Sequence, residues 1–567
     1  MREIRTDVLI CGGGLGGIAA ALAATRAGRQ VVLTEPTSWI GGQLTSQLVP
    51  LDEHRRIEQT GANASYRRLR DGIRDYYRRW YPLTSRAQAE PHLNPGAAWV
   101  SPVSAEPRVG LAVLEAMIAP ARASGLLTLL VGWEPVGAES DGDRLEAVYL
   151  APVTATRSAQ PTPAQPTPAQ PSTTPAQPTP AQPSTTPEVV VLASFILDAT
   201  ELGDLLELGG IEHVTGRESQ AQTGEPSAAP TSDPLDMQGA TWVFGIDHRP
   251  GENHTIDRPA NYDFYREWRP ASWQGGRILD WPGPGEDNGG RHHYEFHPNL
   301  GDDPFAIDTD HRHIPPNPEL WNYRRVLARD LFQPGRYASD MVVMNCPQND
   351  YTGGPLFGIP DPQRHWTGAK ELSQAFLYWL QTEAPRPDGG TGWPGLRLLP
   401  DVAGTADGFA MMPYIRESRR IQALYTIVEQ DVSSAQRPGQ DAAHYQDSVG
   451  VGHYYWLDRH ATTGGQAGSA ELPLPFEIPL RALIPRRVRN LVAACKNIGT
   501  TQLTNGCYRL HPVEWAIGEA AGTLVALCLE HGWDPHDVAF TPARVQALQK
   551  ALLADAVQLR WPPGTGW

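Results

Sequence analysis

A glycine-rich turn near the start of the chain is the sequence feature that most constrains its fold. The turn, Gly12-Gly13-Gly14-Leu15-Gly16-Gly17, follows an apolar run at 7–11 and precedes an alanine-rich, helix-forming stretch at 18–27. A second apolar run at 30–33 leads to an acidic residue, Glu35. A strand, a glycine turn, a helix, a second strand and a terminal carboxylate in this order predict a Rossmann-like α/β fold that binds a dinucleotide.

Each part of this pattern has a physical role in binding a dinucleotide. Gly12 has no Cβ, so the chain can turn sharply out of the strand with a positive φ. Gly14 lets a pyrophosphate approach the backbone, and Gly17 lets the helix pack closely on the sheet. The N–H groups of the first helical turn point at the phosphates, where the helix dipole favours negative charge. Glu35 lies 21 residues after Gly14, close to the roughly 20 residues expected for a carboxylate that accepts the ribose hydroxyls.

Charge and cysteine content narrow the possible partners and the compartment. The chain has 567 residues, a formal net charge of −16 and no run of lysine or arginine, so nucleic acid and anionic membranes are not expected partners. The five cysteines form no Cys-x-x-Cys pair, and such an odd, sparse set is typical of a reducing compartment. The sequence has no run of 18 uninterrupted apolar residues, so we expect no membrane span and a cytoplasmic protein that acts on a small molecule.

A proline-rich repeat interrupts the first half of the chain. The block Ala-Gln-Pro-Thr-Pro-Ala-Gln-Pro-Ser-Thr-Thr-Pro occurs twice, at 164–175 and 176–187, and proline this dense favours extended polyproline II over helix or sheet. The segments on either side, 144–150 and 189–192, have the apolar patterns of strands. We therefore predict that these strands pair as a hairpin and that 154–187 is a disordered loop, because lengthening a loop costs little free energy.

The composition divides the chain into three predicted parts. Residues 1–214 carry the first part of the nucleotide-binding scaffold. Residues 215–407 are rich in Gly, Pro, Asp, His and Trp, with eight of the 17 tryptophans between Trp242 and Trp393, and predict a β-rich or irregular substrate domain inserted into that scaffold. Residues 408–567 are predicted to complete the scaffold with C-terminal helices. The elements predicted there are a helical segment at 408–432, a strand at 490–494, and helices at 512–530 and 542–559.

Five further segments carry recognisable motifs. They are Trp-Ile-Gly-Gly-Gln-Leu-Thr at 39–45, Phe-Ile-Leu-Asp-Ala-Thr-Glu-Leu-Gly-Asp at 195–204, Ile-Arg-Glu-Ser-Arg-Arg-Ile at 415–421, Tyr-Trp-Leu-Asp-Arg-His at 455–460, and residues 490–522, which end in Gly-Glu-Ala-Ala-Gly. With these motifs the chain resembles the FAD-dependent oxidoreductases, a bacterial branch of the glutathione-reductase-like flavoprotein superfamily. The motif at 415–421 is similar to a helix signature of that family. The chain departs from the family at Glu201, where Gly is common, and at Cys495-Lys496, where Gly-Arg is common.

The resemblance implies FAD as the cofactor and an FAD-binding domain that is split in sequence around the substrate domain. A helix that begins near Pro512 would point its N–H groups at the flavin pyrimidine, where negative charge develops on reduction. The residues assigned to FAD binding by the glycine turn and the motifs are Gly12, Gly14, Leu15, Gly16, Gly17, Glu35, Gly41, Gly42, Gln43, Leu44, Thr200, Gly203, Asn497, Arg509 and Gly518.

The sequence has no second glycine-rich fingerprint after a strand, so it does not predict a separate NAD(P)H domain. This favours an oxidase or dehydrogenase in which a hydride passes between a small polar organic substrate and flavin N5. Oxygen or another acceptor would then reoxidise the flavin. The alternative is a flavoprotein whose FAD has a structural or non-redox role.

The candidate catalytic residues follow from this chemistry. Removal of a hydride beside an –OH or –NH group needs a base on the heteroatom, and histidine suits this near neutral pH. The predicted catalytic residues are His460, Asp458, Tyr455 and His511. In the alternative interpretation, His460 only ties a loop to the backbone.

Two further sets of polar residues are candidate ligand sites. Arg416 and Arg419 are predicted to bind a substrate carboxylate; structural ion pairing with Glu417 or Asp431 is the alternative. The histidine-rich segment 292–313 contains ligand types that metals use, but its spacing matches no standard site. No metal site is therefore predicted, and a solvated polar loop is the expectation.

Overall fold

The computed structural model describes residues 1–153, 186–284, 291–309, 317–457, 461–465 and 471–565. Its strands are β1 (Arg2–Cys11), β2 (Val31–Glu35), β3 (Leu127–Val131), β4 (Trp133–Asp141), β5 (Arg144–Pro152), β6 (Val189–Asp198), β7 (His213–Val214), β8 (Ala240–Thr241), β9 (Phe244–His248), β10 (Pro282–Pro284), β11 (Arg291–His293), β12 (Arg325–Leu327), β13 (Met341–Met344), β14 (Asp350–Tyr351), β15 (Leu396–Leu398), β16 (Arg420–Ile421), β17 (Ser448–Gly452), β18 (Phe476–Pro479) and β19 (Leu491–Ala493). Its helices are α1 (Leu15–Arg26), α2 (Ala64–Trp80), α3 (Ser85–Ala89), α4 (Pro107–Ala123), α5 (Asp204–Leu208), α6 (Gln220–Thr223), α7 (Tyr262–Glu267), α8 (Leu320–Tyr323), α9 (Gln363–Thr382), α10 (Pro400–Ala403), α11 (Glu429–Val432), α12 (Gln502–Tyr508), α13 (His511–His531), α14 (Pro535–Phe540) and α15 (Pro542–Ala554).

The main sheet is built from both ends of the chain. Its strand order is β3-β2-β1-β6-β5-β4, and β19 pairs with the C-terminal half of β6. The strands β1, β2, β3, β6 and β19 are parallel, whereas β4 and β5 are antiparallel additions at one edge. Val8 of β1 lies opposite Val31 of β2, so the strands predicted on either side of the glycine turn and its helix are confirmed. The result is the predicted α/β, Rossmann-like architecture.

The strands that flank the proline-rich repeat pair with each other. β5 and β6 run antiparallel, with Val148 opposite Val191 and Leu150 opposite Val189. The predicted hairpin is therefore confirmed. Of the predicted loop 154–187, residues 154–185 lie outside the described part of the chain.

A second sheet, with the order β12-β13-β9-β15, is antiparallel throughout. It lies in a separate hydrophobic cluster together with α9, and several of the tryptophans between 242 and 393 fill this cluster. The most buried of them are Trp273, Trp281, Trp321 and Trp379. These side chains therefore build a core within the segment predicted as the inserted β-rich domain; the boundaries at 214 and 407 stay a prediction.

The helical segment predicted at 408–432 is wrong for most of its length. Only its end is helical, in α11, and the motif at 415–421 is extended and ends in β16. The charged side chains of this motif are buried, and their partners lie on different elements: Arg416 pairs with Asp350, whereas Arg420 pairs with Glu218. In an extended backbone, successive side chains point to opposite sides of the chain, so these residues can reach partners on different elements. The ion pairs formed in this way override the local helix propensity.

The long C-terminal helix lies in the core of the molecule. The predicted elements at 490–494, 512–530 and 542–559 correspond to β19, α13 and α15. Within the described residues, α13 is the one helix that is long and apolar enough to cross a membrane by length and composition. Its most apolar window is 89 % buried inside the protein, where α13 packs against α1. Such extensive burial is typical of a helix in the core of a protein.

Candidate functional site

The glycine turn joins β1 to α1 at the centre of the main sheet. Gly12 has a φ of +103°, and a Cβ there would lie 2.1 Å from the carbonyl oxygen of Ala199, so the turn requires glycine. Gly14 is the N-cap residue of α1 and provides no side-chain acceptor for the first N–H groups of the helix, which begins at Leu15. Such a helix start is suited to binding an anion.

Helix α13 crosses the same turn at very short range. A Cβ on Gly518 would lie 1.9 Å from the carbonyl oxygen of Gly16, and a Cβ on Gly16 would lie 2.0 Å from that of Ala494. A Cβ on Gly17 would meet the carbonyl oxygen of Gly12 at 1.9 Å. The turn is thus enclosed by β19 and α13, which brings residues from both ends of the sequence to one site.

Glu35 lies at the end of β2 beside the turn. Its side chain is buried, and its Oε1 accepts hydrogen bonds from the backbone N–H and the hydroxyl of Thr37 at 2.8 and 2.6 Å. Its Oε2 lies 3.0 Å from the position of a Cβ on Gly13. Burial raises the pKa of Glu35 to about 7. The residue therefore stands where the ribose-binding carboxylate of a dinucleotide fold is expected.

The loop at 41–44 forms hydrogen bonds both to the glycine turn and to residues at the start of α13. The N–H of Gly41 donates to the carbonyl oxygen of Gly13 at 2.8 Å. Gln43 donates through Nε2 to the carbonyl oxygen of Arg509 at 3.0 Å and to Oε2 of Glu514 at 2.5 Å. The Oε1 atom of Gln43 is buried and has no hydrogen-bond partner, so an acceptor at this position is available to a ligand.

The remaining predicted FAD residues line the same region with different contacts. Thr200 donates its N–H and its hydroxyl to Oδ1 of Asp198, and Asn497 donates through Nδ2 to the Asp198 carbonyl oxygen at 3.0 Å. Gly203 has a φ of +65° and caps α5, and Leu44 is buried in the main hydrophobic core. These contacts order the backbone around the site; direct contact of these four residues with FAD stays a prediction.

A buried charge cluster lies directly in front of the glycines. The ammonium group of Lys496, whose side chain is fully buried, forms an ion pair with Glu201. The Oε1 atom of Glu201 lies 3.2 Å from the position of a Cβ on Gly14 and 2.6 Å from that of a Cβ on Gly42. Glu514, in the first turn of α13, lies close to Gly14 as well, and burial raises its pKa to about 7. The sequence marks Glu201 and Lys496 as departures from the family, but it gives no sign that they meet.

A second buried polar cluster surrounds Arg416. Its Nη1 donates to the hydroxyl of Thr241 at 2.9 Å, and its Nη2 donates to Oδ1 of Asp350 at 3.0 Å and to Oδ1 of Asn345 at 3.3 Å. The hydroxyl of Thr241 also contacts Asp350. Arg416 is therefore fixed in position by residues from β8, β14 and the segment after β13.

This cluster contains more hydrogen-bond donors than acceptors. Gln47, which follows the FAD-binding loop, accepts from the N–H of Ile415 at 3.3 Å. The Nε of Arg416, the Nδ2 of Asn345 and the Nε2 of Gln47 are all buried without a partner. An unsatisfied buried donor costs about 1–3 kcal/mol, so a ligand that supplies oxygen acceptors here is stabilised. Gln47 and Asn345 carry no motif in the sequence, and only their burial identifies them.

Arg419, the second predicted substrate arginine, has different surroundings. Its guanidinium lies 4.4 Å from the ring centre of Phe357, donates to the carbonyl oxygen of Leu202 at 3.1 Å, and is 3.6 Å from the carboxylates of Asp204 and Glu207. These contacts do not join it to the donor cluster around Arg416. Its role in substrate binding stays a prediction.

His511 begins α13 and is held by the backbone of a neighbouring loop. Its Nδ1 accepts from the N–H of Asp52 at 3.0 Å, and its Nε2 lies 3.2 Å from the carbonyl oxygen of Val49. These two contacts select the neutral tautomer with the proton on Nε2, and burial lowers the pKa of His511 to about 4. The Asp52 carboxylate pairs with Arg324 at 2.9 Å, a link the sequence did not indicate. A catalytic role for His511 stays a prediction.

The other predicted catalytic residues are only partly described. Asp458 and His460 lie outside the described residues. Tyr455 is buried, and its hydroxyl donates to the carbonyl oxygen of Thr309 at 3.2 Å.

The histidine-rich segment contributes one compact group within the described residues. Glu295, His297 and Glu319 each place a ligand-type atom within 4.8 Å of the others. Glu319 also accepts from the N–H of His297 and caps α8 through the N–H of Trp321. Hydrogen bonding accounts for the position of these side chains, and we assign them no metal. His311 and His313 lie outside the described part of the chain.

The parallel sheet, the glycine turn enclosed by α13, and the carboxylate at the end of β2 together define a dinucleotide-binding protein. A profile described as FAD dependent oxidoreductase matches residues 7–160 and 181–552, and the chain belongs to that family. It is therefore an FAD-dependent oxidoreductase. The geometry fits this cofactor, because the uncapped start of α1, the carboxylate of Glu35 and the unsatisfied Oε1 of Gln43 offer complementary groups along one path.

Comparisons with individual proteins give more distant similarities. No curated protein matches the chain. Among solved structures, L-proline dehydrogenase from P. horikoshii is 12 % identical over 38 % of this chain and 24 % of its own length, with a TM-score of 0.17. THI4 from Thermovibrio ammonificans is 15 % identical over 40 % of this chain and 76 % of its own length, with a TM-score of 0.21. The flavin-dependent monooxygenase PieE, in complex with FAD and substrate, is 15 % identical over 48 % of this chain and 40 % of its own length, with a TM-score of 0.23.

Proposed function

We propose that the protein is an oxidase or dehydrogenase that takes a hydride from a small polar organic substrate carrying a carboxylate. FAD, when bound, would supply the hydride acceptor at flavin N5, and oxygen or another acceptor would reoxidise it. The observation that carries this proposal is the set of unsatisfied buried donors around Arg416. A carboxylate brings acceptor lone pairs and a negative charge, and both match a guanidinium flanked by amide donors.

Arg416 has the position and the fixed geometry of an anchor for such a substrate. Its four Nη–H groups are used by the carbonyl oxygen of Gly239 and the side chains of Thr241, Asp350 and Asn345. Its Nε–H is therefore the donor left for a ligand. Gln47 contributes a further donor from the loop that follows the FAD-binding residues. In this proposal the carboxylate binds between these groups, which orients the neighbouring C–H bond before any chemistry takes place.

Proton removal from the substrate heteroatom is proposed to use His460, on the ground of the Tyr-x-x-Asp-x-His motif that it shares with Tyr455 and Asp458. His511, with both ring nitrogens engaged by backbone groups, is better suited to positioning the loop at 49–52 than to exchanging a proton. In this arrangement the Asp52–Arg324 ion pair keeps that loop in place against the start of α13.

Anaerobic reduction of the bound flavin tests the proposal. The purified holoenzyme is mixed with paired compounds, 2-hydroxy or 2-amino carboxylic acids and the corresponding amides, and the flavin absorbance is followed. We expect one or more acids, and not their amides, to bleach the flavin. Arg416→Gln should raise the acid concentration needed for half-maximal reduction by about 10- to 100-fold, the loss expected for a charged hydrogen bond of about 1.5–3 kcal/mol.

Arg419→Gln is the matched control, because it removes the same charge three residues away outside the donor cluster. If Arg419→Gln raises the half-maximal concentration as much as Arg416→Gln does, the assignment of the carboxylate site to Arg416 is wrong. A flavin that no compound of the panel reduces would favour the alternative function, in which FAD has a structural or non-redox role.

A further inference from the structure

The two departures of the chain from its family meet in space. Glu201 follows β6 and Lys496 follows β19, and nearly 300 residues separate them in sequence, yet they form an ion pair. If position 201 held the glycine that is common in the family, no side chain would reach Lys496 from there. The arginine that is common at 496 would then have no carboxylate partner at position 201. The acidic and the basic residue are therefore complementary.

The carboxylate of Glu201 occupies the space in front of the glycine turn. Its Oε1 is the nearest atom to the Cβ positions of both Gly14 and Gly42, at 3.2 and 2.6 Å. Gly14 is predicted to let the pyrophosphate approach the backbone, and Gly42 is among the residues predicted to bind FAD. The start of α1, which favours an anion, thus has a carboxylate of the protein itself beside it.

The hydrogen bonding of this carboxylate is incomplete. Its Oε2 is paired with Lys496, whereas its Oε1 is buried and has no partner. Glu514 is a second carboxylate beside Gly14, with its Oε2 hydrogen-bonded to Gln43. Two carboxylates and one ammonium group therefore face the position of a pyrophosphate that itself carries negative charge.

The ammonium group of Lys496 is held in the charged state by these neighbours. Burial acts to lower the pKa of Lys496, but the charges of Glu201 and Glu514 outweigh burial and raise it above its ordinary value. A fully buried cation of this kind is stable only while an anion stays next to it. When a pyrophosphate enters the site, it can replace a carboxylate as that anion, and repulsion between like charges favours the exchange.

We propose that Glu201 is an internal anion that occupies the pyrophosphate site of the FAD-free protein, and that Lys496 changes partner from Glu201 to the FAD pyrophosphate on binding. When FAD is not bound, Glu201 neutralises Lys496 and so stabilises the folded site. Glu201 also weakens FAD binding, because it competes with the pyrophosphate for the same cation. The proposal depends only on FAD as the cofactor and not on the identity of the substrate.

Binding measurements on the apoprotein test this exchange without any catalytic assay. Dissociation constants for FAD, from flavin fluorescence, and for ADP, from calorimetry, are compared between the wild type and the variants. We expect Glu201→Gln to bind FAD and ADP at least about tenfold more tightly, since one repelling charge is removed. Lys496→Gln should bind both ligands at least about tenfold more weakly, because the cation that pairs with the phosphates is lost. Lys496→Arg should retain binding close to that of the wild type.

A second readout separates this role from simple structural damage. The apoprotein of Glu201→Gln should melt at a lower temperature than wild-type apoprotein, because Lys496 loses its closest counter-ion, although its affinity for FAD rises. Glu201→Gly, which introduces the residue common in the family, should likewise lower the melting temperature and raise the affinity for FAD. This variant tests the proposal if Glu201→Gln does not fold. The control is Glu146→Gln, which removes a charge at an exposed position of β5. It should change the dissociation constant for FAD by less than about twofold and the melting temperature by less than about one degree.

Two results would overturn the proposal. The first is FAD binding by Glu201→Gln and Glu201→Gly that is equal to or weaker than in the wild type, which would mean that Glu201 stays in place or contacts FAD favourably. The second is unchanged FAD and ADP binding by Lys496→Gln, which would mean that Lys496 never contacts the pyrophosphate.

Discussion

At the scale of single residues, buried carboxyl groups give the FAD-free protein an unusual pH dependence. Burial raises the pKa of Glu35, of Asp198 and of Glu514 to about 7 in each case, whereas such groups titrate near ~4 in an unfolded chain. Between these values the folded state binds protons that the unfolded state has released. The contribution of these three groups to the free energy of unfolding therefore falls as pH rises from about 4 to about 7, and the loss is complete above that range.

Buried histidines such as His511, whose pKa burial lowers to about 4, have the opposite effect, because only the unfolded state keeps them protonated up to about pH 6.5. We therefore expect the melting temperature of the apoprotein to fall between about pH 6.5 and pH 8, where only the carboxyl groups still act. Glu514→Gln removes one of the three groups and keeps a polar partner for Gln43, so its melting temperature should fall less over the same interval. Glu146→Gln, at an exposed position of β5, should follow the wild type. Calorimetric scans at constant ionic strength measure all three. A wild-type melting temperature that rises from about pH 6.5 to pH 8 would contradict the sign derived from these pKa shifts.

At the scale of elements, the crossing of α13 over the glycine turn couples stability to FAD binding. A Cβ on Gly518 would lie 1.9 Å from the Gly16 carbonyl oxygen, so Gly518→Ala must push α13 away from α1 or distort the turn. We expect a loss of about 1–3 kcal/mol in the free energy of unfolding and at least a tenfold weaker affinity for FAD, measured by urea titration and by flavin fluorescence.

Gly137→Ala is the matched control for that substitution. A Cβ on Gly137, in β4, would approach only side-chain atoms of Tyr149, the nearest at 3.6 Å, which is an ordinary contact. Its FAD affinity should equal that of the wild type. Equal affinities for Gly518→Ala and the wild type would show that the turn tolerates a displaced α13.

The elements that sequence reasoning predicted well are those fixed by local signals. The glycine turn, α1 and the carboxylate at Glu35 follow from a pattern of one strand, one turn and one helix, and α13 begins one residue before the predicted proline. The motif around Arg416 is predicted as helix because it is similar to a helix signature of the family, whereas ion pairs with distant elements keep it extended. Neither the Glu201–Lys496 pair nor the donor of Gln47 could be predicted, since both depend on contacts between segments hundreds of residues apart.

At the scale of the whole molecule, one cofactor site is assembled from segments spread over 500 residues of chain. The parallel strand β19 pairs with β6 and closes the sheet that begins with β1, so the FAD-binding region is complete only when the last quarter of the chain has folded. The proline-rich repeat lies within this region in sequence, between β5 and β6, but those strands already pair through Leu150 and Val189. The family match also skips residues 161–180, so most of the repeat lies outside the part of the chain that the family pattern covers.

Replacing residues 154–185 with two glycines therefore should leave the fold and the cofactor site intact. The connection between the paired residues shortens from roughly 38 to roughly 8 residues, and the smaller loop-closure entropy stabilises the folded state by about 1 kcal/mol. The N–H of Val153 and the N–H of Glu188 keep their bonds to the carbonyl oxygens of Gly132 and Leu150, so the hairpin ends stay in register. We expect an unchanged dissociation constant for FAD and a melting temperature equal to or slightly above that of the wild type, measured on the purified holoenzyme. A large fall in either FAD affinity or melting temperature would mean that the repeat contributes to the fold, because the pairing of β5 with β6 alone would then be insufficient to join the two parts of the sheet.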